Sequence, residues 1–394
     1  MTSMLSPQLA QLDADVRRWS VAHLRPLARQ ADRSHEPPPG AVRAFDAAPF
    51  RGNPSAGAVE IDPARGVPEG RYVTATVVTE CGVYGDMLFA AANPGGGIGG
   101  KAVEVVGTPA QVDKWTGGLA RGEYRYSGFG LTEPGAGSDA ASLRTTARRD
   151  GDQWVINGAK MFCSGGALSD YVVVFATIDR DLGYKGIRAF IVERGTPGFT
   201  IAKPNEDKLG CRAMLTSELV FDQVVVPLDH CIGSPEDQPK AFGMVLGALN
   251  TTRQQVAGMA CGIAQAALDE AAPLLQAGRS GFSTARQARI DSDLAAMNAA
   301  VDRGRLLAYR AAWNIDNDLP FGREASIAKA YAPPIAERVC LRVIELLGSD
   351  GWSEELLFEK WYRDVKILDI WEGTGQIHRR AISRSLFAGR SATD

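Results

Sequence analysis

From Leu5 to about Gln30 the apolar positions recur at the spacing of one helix face, and the run ends among charged residues. The stretch "HEPPPGAVRAFDAAPFRGNPSAGAVEIDPARGVPEG" is rich in proline and glycine and reads as loop. Helical spacing returns in "VTATVVTECGVYGDMLFAAA" and in "TPAQVDKWTGGLA", where Thr108 is placed to cap a helix that has Pro109 at its first position. After Arg121 the texture changes. "YRYSGFGL", "QWVING", "YVVVFATI", "IRAFIVE", "FTIAK" and "SELVFDQVVV" are short, β-branched or aromatic, and separated by turn residues, which predicts an antiparallel β domain built as a small barrel or sandwich. Beyond Pro235 long Ala/Leu-rich stretches predict bundle helices to the end. The order is α, β, α. It predicts an α+β chain with an N-terminal helical domain (residues 1–121), a central antiparallel β domain (122–234) and a C-terminal four-helix bundle (235–394).

Composition narrows the function. At 394 residues the chain is too long for one ordinary core, which agrees with three segments. An apolar fraction of 45% and a charged fraction of 23% are those of a globular protein in water, and a net charge of −3 provides no basic field for nucleic acid or anionic lipid. The first residues lack a basic stretch followed by a long apolar one, and no apolar run is long enough to cross a bilayer, so a cytoplasmic protein with no membrane partner is expected. Six cysteines without a CxxC pair read as buried thiols, and four histidines, none spaced with acids as ligands, give no reason to expect a metal.

Three glycine-bearing loops are candidates for chemistry. "NPGGGIGG" matches the dinucleotide fingerprint at Gly95, Gly97 and Gly100, but it follows a helical stretch rather than a strand and reads as a turn. "LTEPGAGSD" lies between strands. Its glycines allow close backbone approach, and Thr132 and Ser138 add hydroxyls; the loop is either an ordinary turn or a cradle for a planar ring or a phosphate. In "WEGTGQIHRR" a single acid, Glu372, stands between Trp371 and a Gly-Thr-Gly turn, where it either caps the following helix or acts on a substrate.

Together with "GDQWVINGAKMFCSGG", "KLG…TSELVFDQVVVP" and "YRDVKILDIWEGTGQI", these motifs resemble the acyl-CoA dehydrogenase family from roughly Val103 to Ala388. The resemblance implies an FAD enzyme, working as a homotetramer or homodimer and passing electrons to an electron-transferring flavoprotein. In such a protein FAD lies between the β domain and the C-terminal helices. Phe129, Leu131, Thr132, Gly137 and Ser138 would line the flavin ring, with Phe162 and Ser164 along it. Arg279 and Phe282 would reach the pyrophosphate of a neighbouring subunit's FAD, and Thr374 and Gln376 the adenosine half. Glu372 would be the base that removes the acyl α-proton, with Trp371 as an apolar wall beside it. Asn250, Arg253 and Ser138 would meet the CoA side of the substrate.

Departures from the family pattern leave choices open. Some members carry the base just before the arginine of "ALNTTR", but Thr252 stands there, so Glu372 is the only motif-matched acid. Glu345 and Ser349 replace the family's Gln and Gly, and Glu345 is expected to turn away or be paired; Gln287 is a further FAD candidate. The Pro/Gly-rich segment 37–70, together with Pro94 in "FAAANPGGGIGG", points to a short, branched or cyclic acyl group. An acyl-carrier-protein substrate, an enoyl reductase, an oxidase and a non-catalytic binding or assembly relative remain alternatives. Nucleic-acid binding through "HRRAISRSLFAGR" is disfavoured by the acidic whole.

Overall fold

The computed structural model describes residues 5–50, 70–93 and 97–387, and these group into two compact units. One unit takes residues Pro94–Asp207 and Met214–Leu249; the other takes Met1–Asn93, Lys208–Ala213 and Asn250–Asp394. Gly95 and Pro94 lie outside the described residues.

The first of these units is built on a seven-stranded sheet: β1 (Ser127–Gly130), β2 (Thr146–Asp150), β3 (Gln153–Ser164), β4 (Tyr171–Thr177), β5 (Ile187–Glu193), β6 (Phe199–Lys203) and β7 (Thr216–Pro227). The order is β1-β4-β2-β3-β7-β6, with β5 paired to β4. The sheet is mixed rather than wholly antiparallel, because β1 runs parallel to β4 with Ser127 opposite Tyr171. β4 is buried along its whole length, which explains its unbroken apolar run. Val172, Val174 and Ala176 join one core with Phe190, Leu219 and Phe221. Tyr171, Val173 and Phe175 join the other, with Val103, Trp115 and Phe242 from the helices of this unit. β2, "TARRD", is a strand that apolar periodicity missed. It carries mostly exposed charge and is defined by its hairpin with β3 through Gly151 at φ +59°.

In the other unit the helix Arg253–Ala277 packs against Arg71–Gly85, Thr284–Asp316 and Gly322–Leu347, so the helical layer draws on the early part of the chain as well as the late part. Close packing is possible because Gly262 has no side chain; a Cβ there would strike the Glu80 carbonyl. The helix Gly375–Phe387 packs on Gly322–Leu347. The N-terminal run divides into Pro7–His23 and Ala28–Ser34 around Pro26, and part of the expected loop, Pro39–Ala44, is a short helix with Pro39 at its start. The expected cap at Thr108 is present as a reciprocal pair with Gln111. Gly97 and Gly100 begin a helix, Gly97–Val106, and the preceding element is the helix Leu88–Ala92, so no strand introduces the Gly-rich stretch. No described helix is long and apolar enough to cross a membrane.

Candidate active site

In the helical unit the chain leaves the helix Phe358–Val365, makes a single turn over Lys366–Asp369, and passes Trp371 and Glu372 before starting the terminal helix at Gly375. The first helix is fixed from within: Lys360, buried, donates to Asp86 at 2.8 Å and to Asp364 at 2.5 Å. The turn that follows is unusual. Glu372 has φ +53° and Gly373 φ +96°, two left-handed residues in succession, the first with a full side chain. Glycine is required at 373 twice over, since a Cβ would also come to 3.0 Å from His378 Nε2. The cap of the terminal helix comes from Thr374, whose hydroxyl accepts from the Ile377 amide at 3.4 Å, so Glu372 is not spent as a cap.

Glu372 is half-buried, and Oε2 accepts a hydrogen bond from the Thr252 hydroxyl at 2.8 Å. Thr252 precedes the 25-residue helix Arg253–Ala277, so the carboxylate faces the positive end of a long helix. Among the described residues, neither Oε1 nor the Glu372 amide has a hydrogen-bond partner. Burial pushes the Glu372 pKa up, and this outweighs the opposing Thr252 hydrogen bond and the charges of Lys329 and Arg253. Lys329, without exposed surface, donates to the Gly373 carbonyl at 3.0 Å, and burial pulls its pKa down to about 8. His378 is also fully buried, and its pKa is pushed down to about 3 by burial and by the charges of Arg253 and Lys329, so the ring is neutral. Arg253 is held by the Asn250 side-chain oxygen, and among the described residues its Nε is buried without a partner, as is Trp371 Nε1.

The remaining expected residues of this unit have partners of their own or are exposed. Arg279 forms a two-pronged pair with Asp291 at 2.7 and 2.6 Å. Gln287 donates to the carbonyls of Arg279 and Phe282 and so fastens that turn. Glu345 is paired, as expected, with Arg342 at 2.7 Å. Gln376 is exposed.

The β unit presents a second group. The loop after β1 is pinned from below by Glu133, which accepts from the Arg144 and Thr145 amides at 2.6 and 2.9 Å and from Lys160 Nζ at 2.7 Å. Above that anchor the loop is open: Gly137 and Ser138 are exposed, Leu131 and Thr132 half-exposed, and a Cβ at Gly137 would meet nothing within 4 Å. The hydroxyls of Thr132 and Ser138 have no partner among the described residues. The Met161 amide donates to the Thr132 carbonyl at 2.8 Å and ties the loop to β3. There, pairing with β7 slips between Lys160 and Cys163, and Phe162 takes φ +55° with 53% of its surface exposed. The bulge interrupts the strict alternation by which Phe162 and Ser164 would share a face. Phe129 packs edge-on against Phe175, and Ser164 is half-buried at the end of β3.

Sequence reasoning did not single out Lys329 or His378, and noticed Thr252 only because it is not an acid. The available signal at 329 was a lone cation inside the alanine-rich "ASIAKAYA".

Comparison with known proteins places the chain in a family. The model of the acyl-CoA dehydrogenase middle domain matches residues 128–224, and that of the C-terminal domain matches residues 242–387. The mitochondrial short-chain specific acyl-CoA dehydrogenase of Bos taurus is 41% identical over 283 residues, which is 71% of this chain and 67% of that protein. The structure of butyryl-CoA dehydrogenase from Megasphaera elsdenii superposes with a TM-score of 0.84 at 28% identity, covering 97% of this chain and 99% of that one. A glutaryl-CoA dehydrogenase from Mycobacterium smegmatis in complex with FADH2 gives a TM-score of 0.82 at 26% identity, covering 99% and 97%. This chain belongs to the acyl-CoA dehydrogenase family of FAD-dependent oxidoreductases.

Proposed function

We propose that the protein converts a short or branched acyl-CoA to its trans-2-enoyl-CoA, with Glu372 as the base. The observation that carries this is the state of one carboxylate: half-buried, raised in pKa by desolvation, with one oxygen held by Thr252 and the other without a partner among the described residues. A base so placed is both oriented and strengthened for removing a weakly acidic α-proton, the proton passing to Oε1. The unpartnered Glu372 amide suits the thioester oxygen, on which negative charge gathers as that proton leaves. Trp371 would exclude water on one side, while Arg253, Asn250 and Ser138 would orient the CoA portion.

The residues present fit a flavin. The free hydroxyls of Thr132 and Ser138, the open backbone at Gly137 and the exposed ring of Phe162 offer hydrogen-bonding and stacking groups to a planar polar ring, alongside Phe129, Leu131 and Ser164. Thr374 and Gln376 would serve the adenosine half, and Arg279 with Phe282 the pyrophosphate of a neighbouring subunit. When bound, FAD supplies the acceptor for the hydride that leaves the β-carbon. A homotetramer or homodimer, an electron-transferring flavoprotein as acceptor, and a reducing cytoplasmic setting consistent with six free buried thiols complete the reading.

The test is an anaerobic titration of the FAD-loaded protein with a panel of acyl-CoAs, followed by flavin absorbance. Bleaching by butyryl-CoA or a branched analogue, and not by long-chain acyl-CoAs, is expected. A flavin that no acyl-CoA bleaches contradicts the reading and directs attention to a carrier-protein thioester or to the reductive direction.

A further inference from the structure

The turn that carries the proposed base puts Glu372 itself in a conformation that a residue with a side chain does not favour. Glu372 holds a left-handed φ of +53°, which such a residue keeps only with support, and the next carbonyl, that of Gly373, accepts from a side chain on another helix. Lys329 projects from Gly322–Leu347 among Ala325, Ala328 and Ala332, all buried, and has no exposed surface itself. A buried ammonium is costly to keep unless it is satisfied. Its direct partner is the Gly373 carbonyl at 3.0 Å, and among the described residues it makes no ion pair. Its charge is therefore not cancelled at contact and acts on the carboxylate one residue away. We propose that Lys329 is a positioning residue: its buried ammonium holds the left-handed Glu372–Gly373 turn and supplies the counter-charge that keeps Glu372 ionised for proton abstraction.

This inference rests on the reading of Glu372 as base. The charged and polar groups around the Glu372–Gly373 turn come from several elements. Thr252 and Arg253 stand at the start of Arg253–Ala277 and Lys329 on Gly322–Leu347; Asp369, in the preceding turn, acts on Lys329, and neutral His378 on the terminal helix lies beside the Glu372–Gly373 backbone. Arg253 is the other cation, but it is shared with the Asn250 oxygen, whereas Lys329 is fastened to the turn itself. Loss of the Lys329 charge removes a favourable interaction from the ionised carboxylate only, so the acid limb of activity moves to higher pH.

FAD-loaded wild type, Lys329→Met, Lys329→Arg and Glu372→Gln are compared with butyryl-CoA across the pH range. Lys329→Met is expected to raise the acid limb of kcat/KM by about one pH unit, roughly a tenfold loss below the limb, with recovery towards the wild-type plateau above it. Lys329→Arg, if accommodated, keeps the limb in place. A uniform loss at every pH, or an unmoved limb, overturns the proposal. Should Lys329→Met yield no FAD-loaded protein, Lys329→Gln is read in the same way. If neither neutral variant folds, Lys329 belongs to the fold alone and the proposal falls. Normal turnover by Glu372→Gln would instead remove the base reading, and this inference with it; an inactive Glu372→Gln beside an unmoved Lys329→Met limb removes this inference only.

Discussion

At the scale of single residues, the site depends on contacts that meet at Glu372 from distant parts of the chain. Thr252 Oγ1 donates to one carboxylate oxygen, and a hydrogen bond to a charged group contributes about 1.5–3 kcal/mol. Thr252→Val is therefore expected to raise the Glu372 pKa further and move the acid limb of kcat/KM up by about one pH unit or more, read from pH–rate profiles. Gly373→Ala places a side chain at φ +96° and against His378, and is expected to destabilise the protein by roughly 1–3 kcal/mol in denaturant unfolding. Glu372 itself has an opposite sign for stability. Its folded pKa is raised, so the native state holds a proton that the unfolded chain releases, and stability falls as pH rises from the unfolded value to the folded one. Glu372→Gln should thus be at least as stable as wild type at neutral pH while losing activity, a comparison that thermal melts of the two proteins settle.

Elements show how an ordinary fold delivers such a site. The strands whose apolar residues alternate or run unbroken, β4 above all, were legible in the sequence because burial on two faces leaves a plain pattern. β2 was not, since its charges report exposure and only pairing makes it a strand. A short turn at Leu249–Thr251 interrupts the helical stretch "FGMVLGALNTTRQQVAG" and sets Thr252 at the head of Arg253–Ala277. Glu372 was legible as a candidate through its motif. Lys329 and His378 were not, because their relation to Glu372 exists only after three helices pack. In the β unit the loop bearing Thr132 and Ser138 hangs on the buried Lys160–Glu133 pair. Burial pushes the Glu133 pKa up, but hydrogen bonds from Lys160 and Thr145 outweigh it and hold the group below the usual carboxylate range. Its stabilisation is present above the unfolded pKa and is lost as pH falls through the folded one. Lys160→Met leaves Glu133 buried without its cation and is expected to cost about 3–5 kcal/mol in denaturant unfolding, with weaker retention of FAD on dilution.

At the scale of the whole molecule, the two units contribute different chemistry: the sheet unit offers polar groups without partners among the described residues and an exposed aromatic ring, and the helical unit offers an oriented carboxylate. The acidic composition and the absence of metal-ligand spacing disfavoured nucleic-acid and metal chemistry, but did not point to a flavin enzyme; motif order did. The central claim is that Glu372 removes the α-proton, and stopped-flow mixing of butyryl-CoA with FAD-loaded wild type and Glu372→Gln under anaerobic conditions tests it most directly. The account predicts rapid flavin bleaching in the wild type and bleaching slowed by about 10²–10⁴ in the variant, with FAD content and acyl-CoA binding preserved. Bleaching at near wild-type rate in Glu372→Gln would contradict it.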